Sequence, residues 1–162
     1  TYDNGVCFAR LPNTMNPTWG ADLNEPTVNC FQSSNVSIEL SFSGITIPLQ
    51  NTVVAGEWSG SPVNGVTKGV IRGFVSKAAA DAVDIAEAVE LGDEISGTLR
   101  LSTLLPGGSS STLNYGGLLS VSIPACRPAN TNTFELDTFN GQEGWWFYLN
   151  YTANNLDDWF TP

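Results

Sequence analysis

The sequence predicts a mostly β domain, an antiparallel β-sandwich or barrel-like fold with one short α-helix at about 76–90. Three observations carry this. Apolar and polar residues alternate over short runs, the mark of half-buried strands. Turn-forming residues separate the runs. Strand-like runs do not alternate with helical patterns, as they would in a parallel βαβ sheet.

The elements follow in order along a single domain, 1–162. Residues 1–34 read as an irregular, disulfide-tied arm, because Pro12, Pro17, Pro26, Asn13, Asn16, Asn24 and Gly20 break any period. Phe8, Leu11, Trp19 and Phe31 are large enough to dock that arm on the β core, 35–162. The clearest strand starts at Val36: Val36, Ile38, Leu40 and Phe42 face one way and Ser37, Glu39, Ser41 and Ser43 the other. After Gly44 the alternation resumes with Ile45, Ile47 and Leu49, and Pro48, lacking an N–H, favours an edge position there.

Further strands are expected at Thr52–Trp58, Val66–Val75, Ile95–Leu104, Thr112–Ile123, Thr133–Leu136 and Trp145–Thr152. Turns fall at Ser59-Gly60-Ser61-Pro62, Asn64-Gly65, Pro106-Gly107-Gly108 and Asn140-Gly141. Between them, Ser76 is placed to cap a helix running through the alanine-rich Lys77–Ala82 to about Glu90, with Gly92 as its stop. The rival reading ends the helix at Ala82 and leaves Val83–Leu91 extended.

Composition narrows the function classes. Apolar residues make up 41% of the chain, enough for a real core, but charged residues only 14%, against about 25% in typical soluble proteins. Sixteen acids against six bases give a net charge of −10. A nucleic acid would be repelled, and no basic stripe exists to hold its phosphates. Anionic membrane surfaces are disfavoured too, and no apolar run approaches the ~20 residues of a membrane-inserted span. The first residue is Thr1 rather than Met, which fits a processed, exported form or a piece of a larger protein. A secreted, extracellular or cell-surface location is the expectation.

Cys7, Cys30 and Cys126 include no C-x-x-C pair, and the chain has no His, so a structural zinc site is not expected. One disulfide with one thiol left over fits an oxidising compartment. Cys7–Cys30 is the first choice, because it would staple the Pro- and Asn-rich arm; a bond from Cys126 to either partner is the rival. The odd cysteine is then either buried and inert or a bridge to another subunit.

Several strings carry a resemblance. Gly69-Val70-Ile71-Arg72-Gly73-Phe74-Val75-Ser76-Lys77-Ala78 with Ala80-Asp81-Ala82, Leu104-Leu105-Pro106-Gly107-Gly108, and Gly144-Trp145-Trp146-Phe147-Tyr148-Leu149-Asn150-Tyr151-Thr152-Ala153 resemble secreted proteins of environmental bacteria that end in a tryptophan-rich strand of the GWWFYLN type. The resemblance covers the chain from Gly69 onward, with a longer stretch from Ser109 to Gln142 here. It implies export and a β-rich fold. That family has no assigned activity, so no catalytic residue transfers.

Without His, neither a Ser–His–Asp nor a Cys–His arrangement can be built. Ser76 and Lys77 are adjacent and do not face each other on a helix, and no phosphate-cradling G-x-x-x-x-G-K-S/T loop occurs. A carboxylate pair drawn from Glu39, Glu57, Glu135, Asp137 and Glu143 would suit a small glycoside hydrolase, as a remote alternative. Calcium is a candidate ligand for Glu135, Asp137, Asn140 and Glu143, which flank the Asn140-Gly141 turn and offer hard oxygens. The bland reading there is a solvated hairpin end, with no cofactor.

The aromatic residues carry the main expectation. Consecutive Trp145 and Trp146 point to opposite faces of a strand. Either Trp146 and Tyr148 look outward as a platform for a sugar ring or a partner, or aromatics of both faces are covered. Trp58, Trp159 and Phe160 are further contact candidates; the apolar C-terminal tail either folds back or docks on a neighbour. Asn35-Val36-Ser37 and Asn150-Tyr151-Thr152 fit the N-glycosylation pattern. The function expected is a non-catalytic structural or adhesive extracellular protein, a candidate cell-adhesion or filament subunit that assembles with other subunits or with itself. The alternative is a polysaccharide-binding module, calcium-assisted or not.

Overall fold

The computed structural model describes residues 2–3, 7–8, 11, 23, 25–27, 29–86, 89, 92–126 and 136–154. These residues are mostly β, in antiparallel sheets, with one short helix. The strands are β1 (Tyr2–Asp3), β2 (Cys30–Gln32), β3 (Val36–Phe42), β4 (Ile45–Ser59), β5 (Gly65–Ser76), β6 (Ile95–Thr98), β7 (Ser111–Tyr115), β8 (Leu119–Ile123), β9 (Asp137–Phe139) and β10 (Gln142–Asn154); α1 is Lys77–Ala82. Two compact units make up the chain. The described residues within Thr1–Ser37, Gln50–Gly73 and Trp146–Pro162 form the first, and those within Ile38–Leu49 and Phe74–Trp145 the second.

In the first unit the strand order is β1-β2-β4-β5-β10. The arm is therefore not wholly irregular, since two of its segments are strands: Tyr2 pairs with Phe31, and Cys30, Phe31 and Gln32 pair with Glu57, Gly56 and Ala55. The Cys7–Cys30 disulfide forms as expected, with its Cα atoms 6.0 Å apart. It brings Phe8 into the core, where Phe8, Cys30, Val53, Ala55, Val70 and Tyr148 are buried.

In the second unit β3 pairs with β4, β9 with β10, and β6-β7-β8 make a separate three-stranded sheet. Asn140 and Gly141 both take positive φ, 49° and 76°, between Phe139 and its partner Gln142. Two left-handed central residues make the turn whose twist suits a two-residue hairpin, so the Asn-Gly signal reads true. β9 begins at Asp137, later than the expected Thr133–Leu136, whose residues 133–135 lie outside those described.

Three expected elements are corrected. The helix stops at Ala82, with Ser76 Oγ capping it by accepting from Ala79 N–H at 3.2 Å. It stops there because the β-branched Val83 and Ile85 pair with the segment before the next turn: Ile85 N–H donates to Leu99 O at 2.8 Å and Leu101 N–H to Val83 O at 2.9 Å. The expected strand Ile95–Leu104 ends at Thr98 and becomes a 3₁₀ turn over Leu101–Leu104, in which Ser102 and Thr103 bury their hydroxyls on polar partners. Thr112–Ile123 is two strands: Gly116 and Gly117, at φ 55° and 69°, reverse the chain, with Leu118 N–H donating back to Tyr115 O.

Candidate interaction surface

Of the two readings open for the β10 aromatics, the covered one holds. Trp146 is 4% exposed and Tyr148 fully buried, as is Trp145, so both faces of the strand are covered there. Within the first unit the arm supplies the cover. Phe8 packs on the Tyr148 ring at 6.1 Å, and Leu11 N–H donates to the Tyr148 hydroxyl at 3.2 Å. The Arg72 guanidinium sits 5.1 Å from the Phe8 ring and 5.5 Å from the Trp146 ring, a cation–π arrangement. Burial lowers the Arg72 pKa, against a raising influence of Tyr148, and its Nε is buried without a hydrogen-bond partner. Trp146 and Tyr148 are thus core residues.

Trp58 is half-buried and stacks on Phe31, centroids 4.5 Å apart. Trp159, Phe160 and Glu135 lie outside the described residues. The remaining calcium candidates do not converge. Thr138 pairs with Glu143 and Asp137 with Gly144, so Asp137 and Glu143 point to opposite faces of the hairpin, and exposed Asn140 occupies the turn. Among the described residues no group of three or more His, Cys, Asp or Glu side chains is arranged to hold a metal. Of the carboxylates considered for glycosidic chemistry, Glu57 lies 3.2 Å from Lys68 Nζ, an ion pair without hydrogen-bond alignment.

The structure assembles one polar cluster that local spacing conceals. Lys77 Nζ bonds Ser109 Oγ and reaches Asp81 Oδ2 at 3.0 Å; Ser102 Oγ donates to Asp81 Oδ1 at 2.5 Å. Thr103 Oγ1 donates to Ser109 O at 2.8 Å and shares a 2.6 Å bond with Ser111 Oγ. Lys77 is thus ion-paired with Asp81 as well as bonded to Ser109. The cluster acts as a clamp fastening α1 to the segment 102–111.

Burial by itself would raise the Asp81 carboxyl, but hydrogen bonds from Ser102, Ser109 and Lys77 and the Lys77 charge hold it below its ordinary value. A carboxylate depressed in the folded state stabilises above its unfolded pKa, and that stability is lost as pH falls through the folded one. Asp81→Asn is therefore expected to cost about 1 kcal/mol at pH 7, the partly exposed carboxylate being screened by solvent, and less below the ordinary carboxylate range. Urea unfolding at pH 7 and pH 3 checks this; an equal cost at both would contradict it.

The exposed apolar surface lies elsewhere, on β7 and β8. Pairing runs Tyr115↔Leu119, Leu113↔Val121 and Ser111↔Ile123, so these six share one face with Ile95 and Gly97 of β6. Ser96, Thr98, Thr112, Asn114, Ser120 and Ser122 make up the other, polar face. The apolar face is covered at Leu113 but bare at the β8 margin: Tyr115 is 52% exposed, Leu119 58%, Val121 47% and the turn residue Leu118 97%. No charged residue occurs from Leu101 to Cys126, an uncharged stretch in an otherwise acidic chain. Neither pattern was singled out from sequence, because Leu119, Val121 and Ile123 alternate as an ordinary core-facing strand does.

Among the described residues no helix is long and apolar enough to cross a membrane. Comparison with protein-family models, with curated proteins and with solved structures finds no match for this chain.

Proposed function

We propose that this is a non-catalytic extracellular protein with a structural or adhesive role, working through the bare apolar margin of the β6-β7-β8 sheet. The observation that carries the reading is the contiguous run Tyr115, Leu118, Leu119 and Val121, each about half exposed or more, on an uncharged segment. Scattered exposed apolar residues are ordinary, but a contiguous patch marks a contact site. The Cys7–Cys30 disulfide supports an oxidising, extracellular compartment. The sparse charge and abundant Ser, Thr, Asn and Gly suit a surface that meets other surfaces rather than ionic ligands.

The test is retention of the purified protein on polystyrene, cellulose and chitin particles, with and without a chelator, against the double variant Leu118→Ser/Leu119→Ser. The hairpin tip is exposed, so the variant folds and its circular dichroism is unchanged. Retention on the apolar particles is expected to drop about tenfold, from loss of roughly 1.4 kcal/mol or more of apolar contact. Equal retention of both proteins would sink the reading. Chelator-sensitive retention on the polysaccharides alone would favour a carbohydrate-binding role instead.

A further inference from the structure

We infer that the β8 margin is a homotypic interface, at which β8 of one copy pairs antiparallel with β8 of a second copy. The inference rests on the contact role proposed above and names its partner. Among the described residues β8 has β7 on one side and no strand on the other, so one row of its backbone N–H and C=O groups is unpaired. Free edges are normally guarded by Lys, Pro, charges or bulges. Leu119-Ser120-Val121-Ser122-Ile123 carries none of these within the strand, Pro124 standing just past its end. The opposite edge differs: β6 follows Asp93 and Glu94 and contains Gly97 at φ 118°.

Charge selects the occupant. Two copies at net −10 repel each other over most of their surfaces. They meet without like-charge contact across the segment from Leu101 to Cys126, which carries no ionisable Asp, Glu, Lys or Arg. The alternation of β8 is also self-complementary about its centre. Directly opposed residues in an antiparallel pair share a face, so a dyad at Val121 sets Leu119 against Ile123 of the second copy, Val121 against itself and Ser120 against Ser122. A shift by one residue would oppose Val to Ser and mix the faces. Of the residue-centred registers, the Val121 dyad pairs the whole strand.

The interface is isologous and closes at two copies, so it makes a dimer, not a filament. It also leaves the odd cysteine unused. Cys126, exposed and unpaired, is held by its N–H on Thr103 O at 2.8 Å. It lies five residues past the dyad on each copy, so two such thiols stand on the order of 30 Å apart.

The experiment is sedimentation equilibrium of the whole chain from about 10 µM to 1 mM, the range suited to an interface at the small end of specific contacts, together with cysteine cross-linking. Wild type and Cys126→Ser are expected to dimerise alike, and more readily as salt screens the acidic repulsion. Val121→Lys, which opposes two lysines across the dyad, is expected to raise the dimer Kd at least tenfold with circular dichroism unchanged. Under mild oxidation, Val121→Cys in the Cys126→Ser background is expected to cross-link at least tenfold faster than Ser120→Cys, which faces residue 122.

Dimers that persist in Val121→Lys, or that depend on Cys126, would overturn the inference. A strictly monomeric wild type would as well. If that monomer still loses particle retention in Leu118→Ser/Leu119→Ser, the dimer fails while the contact role stands; if retention is also unchanged, both fail.

Discussion

Trp145→Ala is expected to lower stability by about 3–5 kcal/mol. The residue is fully buried, and its indole Nε1 donates to Pro106 O at 2.9 Å. Truncation removes the largest fully buried side chain among the described residues and leaves a cavity that the surroundings refill only in part. It also leaves the Pro106 carbonyl without that donor. The neighbouring backbone leaves little room for collapse. Gly144 is so close to β5 that a Cβ there would lie 2.1 Å from Val75 O and 2.7 Å from Phe74 Cζ. Against a typical total stability of about 5–15 kcal/mol, that is a large share of the whole. Urea titration of the variant against Trp145→Phe separates the two contributions: the phenylalanine keeps most of the volume and loses the hydrogen bond, so it is expected to cost about 1–2 kcal/mol. A cost below 1 kcal/mol for the alanine would contradict the packing described for the second unit.

Removing the disulfide comes next in size. Cys7 and Cys30 are 23 residues apart, and closing a loop of that length restricts the unfolded chain by about 3 kcal/mol in the chain-entropy model. Cys7→Ser/Cys30→Ser is expected to lose about that much. Its second consequence is local. Phe8, next to Cys7, covers Tyr148 and touches the Arg72 guanidinium. Freed from its staple, the arm is expected to lift from β10 first, exposing Trp146 and Tyr148 to acrylamide quenching at denaturant concentrations that leave the far-ultraviolet circular dichroism native. Quenching that follows the global transition alone would show that the arm is held by its other contacts.

Much of the architecture was legible in the sequence, and the failures have physical causes. β3 and the Asn140-Gly141 hairpin could be read because their signals are local: strict alternation in the strand, and a dipeptide that tolerates left-handed φ at both central positions. The helix end could not, because α1 stops where Val83–Ile85 find partners at Leu99–Leu101, more than a dozen residues on. The break at Gly116-Gly117 was hidden because the alternation of Leu113 and Tyr115 continues across it in Leu119 and Val121. The site was the least legible part. Strand period left Trp146 and Tyr148 either outward or covered; Phe8, Leu11 and Arg72 cover them, a tertiary event no strand period encodes. The bare residues lay within a stretch read only as an ordinary strand.

The free outer edge of β8 is what both the contact role and the pairing of copies depend on. Amide hydrogen exchange measured at two protein concentrations reads that edge directly. In dilute protein, the N–H groups of Leu119–Ile123 that point away from β7 are expected to exchange fast, while those pointing toward it and those of central β10 exchange slowly. At millimolar concentration the outward set is expected to slow by at least tenfold and the rest to stay unchanged. Outward amides already protected at the lowest concentration, or indifferent to concentration throughout, would contradict the account.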